Sequence, residues 1–218
     1  MFRARVPETD HGIVGEFTVS MYDQMQRNLR DKGWIQTKAL LKAGITSGHA
    51  MEMGSGPGYL GLEWLKNTLG TSLTGLDISP DMIALAQKNA SEYALADRAH
   101  YVQGSGSSMP FDEGSFDAVF TNGSLHEWAD PRATFNEIWR VLRVGGRYFI
   151  SDLKRDMPVL LHWFIRLSTK PKGMRPGLET SIGASYTRSE LEELVKGTRF
   201  EGCKIDSAAI GNTLTGVK

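Results

Sequence analysis

The sequence predicts an α/β fold in which helices cover both faces of a doubly wound, seven-stranded and mostly parallel sheet. Short apolar segments typical of strands alternate with longer segments whose apolar residues recur at helical spacing. Four glycines, Gly54, Gly56, Gly58 and Gly61, follow the first strand segment and predict a tight strand-to-helix turn. The last two apolar segments lie close together in the sequence and predict an antiparallel C-terminal hairpin.

Composition narrows the class of protein. The 218 residues include 25 basic and 25 acidic side chains, so the net charge of zero gives no sign of a nucleic-acid partner. A single cysteine, Cys203, excludes an internal disulfide and is typical of a reducing compartment. The first residues lack the apolar centre of a signal peptide, and the apolar-rich segment 158–167 is much shorter than the ~20 residues that span a bilayer. We therefore expect a cytoplasmic protein without a transmembrane segment.

The elements around the glycine turn follow from the spacing of apolar residues. Within 11–44, two groups of apolar residues predict one or two helices. The first strand ends near Glu52, and the helix after the turn begins at Gly58 or Tyr59. Because a helix N-terminus presents unpaired N–H groups and a positive dipole, we expect a nucleotide-like ligand at this turn.

Four more strands alternate with helices up to position 153. Ser79-Pro80 and Asp130-Pro131 each have the residue types of an N-cap followed by the first helical position. The predicted strands are 73–77, 99–103, 116–122 and 147–153, and the predicted helices end near 96 and at the glycines 145 and 146. Ligands of such sheets bind beyond the carboxyl ends of the strands. The loops expected at that edge are 54–58, 77–79, 104–108, 122–128 and 152–156.

Beyond position 153 the alternation breaks. The pattern predicts an apolar helix over 157–167 and then an irregular stretch with several prolines and glycines up to 186. Thr187 and Glu190 form a capping-box pattern at the start of a final helix. The strands of the terminal hairpin are predicted at 200–205 and 208–217.

Two classes of ligand compete for the glycine turn. Gly56 to Gly61 is a literal G-x-G-x-x-G sequence with Asp77 about 20 residues beyond its start, as in dinucleotide-binding proteins. The overlapping segment from Glu52 to Gly58 resembles motif I of the class I S-adenosylmethionine-dependent methyltransferases. Asp77 can accept hydrogen bonds from ribose hydroxyls with either ligand. The turn alone leaves both alternatives open.

The order of further motifs favours the methyltransferases. Four more segments resemble, in the same order, those of the small-molecule type that shares the common methyltransferase domain: 76–82, 109–117, 125–131 and 140–146. The resemblance covers about 45–153 and implies a Rossmann-like methyltransferase fold with S-adenosyl-L-methionine as cofactor and S-adenosyl-L-homocysteine as product. The alternative of an NAD-dependent dehydrogenase does not account for Gly54, which lies before the G-x-G-x-x-G sequence. The chain after 153 is also short for the separate substrate domain of such an enzyme. A non-catalytic or regulatory module that only holds the cofactor is the other alternative.

The resemblance also implies which residues bind the cofactor. It places Gly54 and Gly56 at the methionine part, Asp77 at the ribose and Ser105 at the adenine. The family usually has aspartate where this chain has Ser105, so a neutral hydroxyl replaces a charged acceptor there. Tyr22, in the N-terminal arm, has core packing as its alternative role. The full set of expected cofactor-binding residues is Tyr22, Glu52, Gly54, Ser55, Gly56, Gly58, Asp77, Ile78, Met82, Gly104, Ser105, Gly106, Asn122 and Ser124.

His126, in the loop after the fourth strand, is the predicted catalytic residue. An imidazole titrates near neutrality and can act as general base when the methyl acceptor is a hydroxyl or an acidic carbon. The alternative is that His126 caps or packs its loop. Asp152, after the fifth strand, is a second candidate base, with a turn-forming role as its alternative. No group of His, Cys and Asp residues has convincing ligand spacing, so no metal is expected. Segment 121–124 lacks the N/D-P-P-Y/F sequence of nitrogen methylation.

We expect a single methyltransferase domain over 1–218 that acts on a small organic acceptor with an apolar body. Apolar residues of the helix at 157–167 are expected to wall the acceptor pocket, or alternatively to pack on the sheet with a basic edge in solvent. These residues are Val159, Leu160, Trp163, Phe164 and Leu167. The expected regions are a helical arm at 1–44, a cofactor-binding core at 45–153, a substrate cover at 154–186, and a final helix with the strand hairpin at 187–218.

Overall fold

A computed structural model of the chain describes residues 4–8 and 12–218. The strands in this part of the chain are β1 (His49–Met53), β2 (Ser72–Asp77), β3 (Ala99–Gln103), β4 (Phe116–Asn122), β5 (Leu142–Leu153), β6 (Lys204–Ser207) and β7 (Gly211–Val217). They form one seven-stranded sheet in the order β3-β2-β1-β4-β5-β7-β6. Strands β1 to β5 pair in parallel, whereas β7 is antiparallel to both β5 and β6. The predicted fold class is confirmed.

Helices connect these strands and begin at the predicted caps. The side chains of Ser79 and Asp130 accept hydrogen bonds from the first turns of their helices, and Thr187 forms the predicted capping box with Glu190. The α-helices of the described residues are α1 (Glu16–Asp31), α2 (Thr37–Lys42), α3 (Tyr59–Lys66), α4 (Pro80–Glu92), α5 (Pro131–Val141), α6 (Val159–Ser168), α7 (Arg175–Ala184) and α8 (Arg188–Val195). None of these helices is long and apolar enough to cross a membrane.

Two groups of buried side chains cover the two faces of the sheet. Ala50 and Met51, adjacent on β1, belong to different groups because successive strand residues point to opposite faces. One group contains Trp64, whose ring centroid lies 5.8 Å from that of Phe120. The other contains Phe135, which packs on other aromatic rings near α8. Both faces of the central strands are therefore held by helices, which fixes the positions of the strand ends.

Several boundaries after position 140 differ from the predictions, including the start of β7 at Gly211 rather than at 208. Strand β5 starts before the glycines 145 and 146, because Leu142 is fully buried and pairs with Phe116. Strand β6 starts at Lys204 rather than at 200, because Phe200 belongs to a turn and packs 4.8 Å from the ring of Phe135. Helix α7 occupies much of the stretch predicted as irregular. Pro176 lies in its first turn, where a missing N–H removes no helical hydrogen bond.

Candidate functional site

A cavity lies where the first four strands end, the edge at which the sequence predicts ligand binding. Most of the predicted cofactor-binding residues line it, namely Tyr22, Gly54, Gly56, Asp77, Ile78, Met82, Gly104, Ser105, Gly106 and Ser124. The predicted residues outside its lining are Glu52, Ser55, Gly58, Asn122 and His126. The cavity therefore brings together the loops that follow β1, β2, β3 and β4.

Backbone conformation shapes the glycine turn. Gly54 and Gly56 have positive φ angles of 64° and 50°, which residues with a Cβ rarely adopt. A Cβ on Gly54 would also lie 2.8 Å from the Cβ of Ser124. The Gly54 N–H donates to the Leu76 carbonyl at 2.8 Å, which ties the turn to the end of β2. The turn consequently follows the strand ends closely and leaves the cavity open beside the N-terminus of α3.

Asp77 is the acidic group that faces this turn. Its Oδ2 accepts a hydrogen bond from the Gly56 N–H at 2.8 Å, and its Oδ1 accepts one from the Ser79 N–H at 2.9 Å. Burial raises the pKa of Asp77, and these backbone hydrogen bonds oppose the increase. A carboxylate has about four acceptor positions, so Asp77 can hold the turn and still accept hydrogen bonds from ligand hydroxyls in the cavity.

Glu52 and Ser55 lie behind the turn. Glu52 is buried, its Oε2 accepts a hydrogen bond from the Gly61 N–H at 3.1 Å, and burial raises its pKa to about 8. The Ser55 hydroxyl is buried and has no hydrogen-bond partner among the described residues. Gly58 is the N-cap of α3 and approaches Tyr101 closely, since a Cβ there would lie 2.5 Å from the phenol oxygen. The direct contact of Glu52 with the cofactor remains a prediction, because this carboxylate lies outside the cavity lining.

The opposite end of the cavity lies between α4 and the loop after β3. Ile78 is 40 % exposed, and Met82 is buried beside it. Ser105 Oγ lies 3.0 Å from Ser107 Oγ and accepts a hydrogen bond from the Ser107 N–H at 3.3 Å. Gly12 covers this end, since a Cβ on it would lie 2.7 Å from Ile78 Cγ2. This end offers apolar contacts with a neutral hydroxyl at its edge.

Side chains after β4 and on α1 form the wall between these ends. Ser124 Oγ lies 2.6 Å from Thr121 Oγ1 and accepts a hydrogen bond from the Trp128 indole N–H at 3.1 Å. Tyr22 lies over the turn, and burial, together with nearby carboxylates, raises its pKa. The exposed side chain of Asn122 lies outside the lining. The wall thus presents an indole, a phenol and a hydroxyl to the cavity.

His126 is buried next to this wall and is oriented by Asp152. The His126 backbone N–H donates to Asp152 Oδ2 at 2.8 Å, and its ring Nδ1 lies 2.9 Å from the same oxygen. A carboxylate at Nδ1 keeps the proton on that nitrogen and directs Nε2 away from it. Nε2 has no hydrogen-bond partner among the described residues. The sequence suggested His126 and Asp152 separately, and the structure brings them into direct contact.

Two carboxylates face the free nitrogen of His126. Nε2 lies 3.4 Å from Glu8 Oε2 and 3.8 Å from Glu127 Oε1. Burial opposes a charge on the imidazole, but Asp152 and the other two carboxylates raise the pKa of His126 to about 9. Burial raises the pKa of Glu127 to about 7, although the positive charge of His126 lowers it. Glu127 also lines the cavity, so it connects His126 to the ligand space.

This cluster bears on the predicted absence of a metal. The ligand atoms of Glu8, His126 and Glu127 lie within 4.8 Å of one another, a spacing that a metal ion can also use. No sequence pattern indicated the group, because Glu8 is far from the other two in the chain. The expectation of no metal remains a prediction, and the ion pairs of His126 with the carboxylates account for the same geometry.

The N-terminal segment is the part of the site that sequence reasoning missed. The Arg5 guanidinium donates to the His126 carbonyl at 3.0 Å and lies 4.1 Å from the centre of the Tyr186 ring. The Ser79 hydroxyl donates to the Ile13 carbonyl. Segments 4–8 and 12–15 have no apolar periodicity, so only their tertiary contacts show that they lie over the sheet edge. Other lining residues outside the predicted set are Met53, Leu76, Ser107, Gly123, Trp128, Ala129, Asp130 and Thr134.

The predicted wall of apolar residues from α6 is not part of this cavity. Val159, Leu160, Trp163, Phe164 and Leu167 are all exposed, and none of them lines the cavity. At the strand ends Arg5 and Glu8 contact His126, and the role of segment 154–186 as a substrate cover remains a prediction. The outward direction of these side chains also differs from the alternative, in which they pack on the sheet.

The sequence of the central region is similar to known methyltransferases. Residues 51–150 match the family model of a methyltransferase domain. The chain is 35 % identical over 140 residues to the demethylmenaquinone methyltransferase of Roseiflexus castenholzii, covering 61 % of this chain and 56 % of that protein. It is 32 % identical over 156 residues to the O-methyltransferase resE of Aspergillus sclerotiorum, covering 70 % and 54 % respectively. The chain therefore spans about half the length of these curated relatives.

The fold is also that of a solved structure. A protein from Methanococcus maripaludis, provisionally described as an S-adenosyl-L-methionine-dependent methyltransferase, superposes with a TM-score of 0.76 at 22 % identity. The superposition covers 95 % of this chain and 97 % of that one. At this identity the likeness shows the fold alone.

Proposed function

We propose that the chain is a class I S-adenosylmethionine-dependent methyltransferase whose methyl acceptor is a hydroxylated aromatic ring with an apolar body. Support comes from relatives named for the methylation of a demethylmenaquinone and for O-methylation. The observation that carries the proposal is the contact of Glu127, on the cavity wall, with the buried His126–Asp152 pair. A hydroxylated ring requires such a proton acceptor, whereas a sulfur or amine acceptor often requires none.

The lining of the cavity supports S-adenosyl-L-methionine as the cofactor. Gly54 and Gly56 line it without side chains, and Asp77 offers acceptor positions to a ribose. When bound, S-adenosyl-L-methionine supplies an electrophilic methyl group, whose bond to sulfur breaks as the acceptor takes it and leaves S-adenosyl-L-homocysteine. Gly54 and Gly56 would hold its methionine part, and Ile78 with Ser105 its adenine.

The protein's own residues then position and deprotonate the acceptor. Trp128 and Tyr22 offer aromatic surfaces on which a ring can lie within the cavity. The positive charge of His126 favours the ionised form of Glu127. This carboxylate takes the hydroxyl proton and becomes a neutral carboxylic acid. Asp152 holds that imidazole in place. Deprotonation concentrates negative charge on the acceptor's oxygen and adjacent ring carbon, the two atoms that can attack a methyl group.

Product analysis tests this proposal. The purified protein is incubated with S-adenosyl-L-methionine and a naphthoquinol that lacks a ring methyl, with a thiol and a primary amine as comparison acceptors. We expect S-adenosyl-L-homocysteine to form with the naphthoquinol only, and nuclear magnetic resonance of the product to place the methyl on carbon or oxygen. Turnover with the thiol or the amine, and none with the ring, contradicts the proposed acceptor class. The cytoplasmic location and the absence of a nucleic-acid partner remain predictions.

A further inference from the structure

Helix α6 exposes its apolar side chains. Val159, Leu160, Trp163, Phe164 and Leu167 are 54 to 84 % exposed, and no residue of the helix is buried. Their spacing of one, three or four residues places them on one side of the helix. We call this surface, together with the adjacent Trp34, the α6 face.

The other side of α6 faces the rest of the chain and includes the half-buried Leu161 and Ile165. Ion pairs also attach the helix to α7, since His162 Nε2 lies 2.9 Å from Glu179 Oε2 and Arg166 Nε lies 3.1 Å from Glu179 Oε1. Helices of globular proteins usually turn their apolar side inward. Packing within the described part of the chain does not account for the five exposed apolar side chains of α6.

Aromatic and basic side chains lie together on this surface. The Trp34 and Phe164 ring centroids are 6.1 Å apart, and the Lys32 ammonium lies 4.7 Å from the centre of the Trp34 ring. The Arg166 guanidinium lies 5.5 Å from the centre of the Trp163 ring. Tryptophan beside lysine and arginine is typical of protein surfaces that lie at the membrane–water interface.

Charge distinguishes between the partners that an apolar face can have. Residues 157–179 contain the basic residues Arg166, Lys170, Lys172 and Arg175 and one acidic residue, Glu179, which pairs with Arg166. Lys170 and Lys172 are exposed. A two-fold interface between copies of this chain would bring this basic segment close to itself, because such an interface pairs the same patch on both subunits. An anionic surface instead complements it.

We propose that the α6 face binds the surface of an anionic lipid bilayer, with α6 in the plane of the interface and its apolar side chains among the lipid chains. Five large apolar residues and the basic segment supply the two kinds of attraction that such binding needs. The binding itself is independent of the reaction. Its use for collecting an acceptor with an apolar body from the bilayer rests on the proposed function.

Flotation with vesicles tests the binding. The full chain is mixed with vesicles of phosphatidylcholine alone or with phosphatidylglycerol added, and the bound fraction gives a partition coefficient. We expect binding to the anionic vesicles. The Leu160→Ser/Trp163→Ser variant should lose about tenfold or more of this binding, and Lys170→Gln/Lys172→Gln about fivefold for each charge removed. Added salt should weaken the binding of the unchanged chain.

Matched controls distinguish a specific role of the α6 face from the effect of removing any exposed apolar or basic side chain. Leu69 is 94 % exposed in the turn after α3, so Leu69→Ser removes an exposed apolar side chain elsewhere. Lys88→Gln removes an exposed positive charge from α4. Both controls should bind vesicles like the unchanged chain, and all variants should keep their affinity for S-adenosyl-L-homocysteine.

Two results overturn the proposal. One is a vesicle result: the unchanged chain does not bind anionic vesicles, or the Leu160→Ser/Trp163→Ser variant binds them equally well. The other is a dimer of the unchanged chain in lipid-free buffer, seen by sedimentation and absent in this variant, which assigns the α6 face to a second copy of the chain. Methyl transfer to a water-soluble acceptor is measured separately. If the unchanged chain transfers no methyl group, this result counts against the proposed function but does not affect the conclusion about vesicle binding.

Discussion

The two halves of the candidate site, the proposed cofactor side and the proposed acceptor side, are built from different kinds of contact. On the cofactor side, backbone groups of the glycine turn and the carboxylate of Asp77 lie within a short stretch of chain and bond to each other. On the acceptor side, Glu8, His126 and Asp152 meet from distant parts of the chain. The first half follows from strand ends and loop geometry. The second depends on side-chain charges that tertiary contacts bring together, so changes in the two halves should have separable effects.

The largest expected effect is on the acceptor side. His126→Ala should lower kcat at neutral pH by up to about 10²–10⁴, the range for losing a general base, because without the imidazolium Glu127 stays protonated. The Kd for S-adenosyl-L-homocysteine should not change, since His126 lies outside the cavity lining. Calorimetry and steady-state rates measure the two quantities. His100→Ala, on the exposed side of β3, is the control, and a near-normal kcat in His126→Ala would contradict this role.

The dependence of the rate on pH sharpens the same test. If Glu127 accepts the proton, kcat should rise as its carboxyl group ionises, around its pKa of about 7. His126 lowers the pKa of Glu127, so in His126→Ala the rise should move to higher pH. Glu127→Gln should abolish this rise. A Glu127→Gln enzyme with an unchanged pH profile would show that another group takes the proton.

On the cofactor side we expect a change in affinity. Asp77→Ala removes acceptors for the ribose hydroxyls, and one lost hydrogen bond to a charged group is worth roughly 1.5–3 kcal/mol. The Kd for the cofactor should therefore rise by about 10- to 150-fold, with a smaller change in kcat at saturation. Asp97→Ala, at an exposed position before β3, is the control. A large fall in kcat with unchanged Kd would contradict the separation of the two halves.

The same contrast explains what the sequence could predict. The cofactor side was predictable because glycine spacing, N-caps and strand ends are local, and the order of parallel strands brings their loops to one edge. Asp77 was found in this way, whereas Ser105 was expected only from the resemblance to the methyltransferases. The acceptor side was predictable only in part, since His126 follows a strand but its neighbour Glu8 belongs to a segment without periodicity. Helix α6 was predicted as a helix, but the side that it turns to the rest of the chain depends on its ion pairs with Glu179 of α7. The sequence did not predict α7, because Pro176 and several glycines indicated an irregular stretch.

The smallest expected effect concerns the adenine end. Ser105→Asp introduces the carboxylate that the family usually has, and the Ser107 N–H and hydroxyl are already in place to orient it. Because a charged acceptor forms stronger hydrogen bonds than a neutral hydroxyl, the cofactor Kd should stay equal or fall by up to about tenfold, with kcat unchanged. Ser91→Asp adds the same charge on α4 and should have no effect. A clear loss of affinity in Ser105→Asp alone would mean that the serine fits a locally different adenine site. The family's motifs would then predict the ribose contact of Asp77 but not the contacts to the adenine.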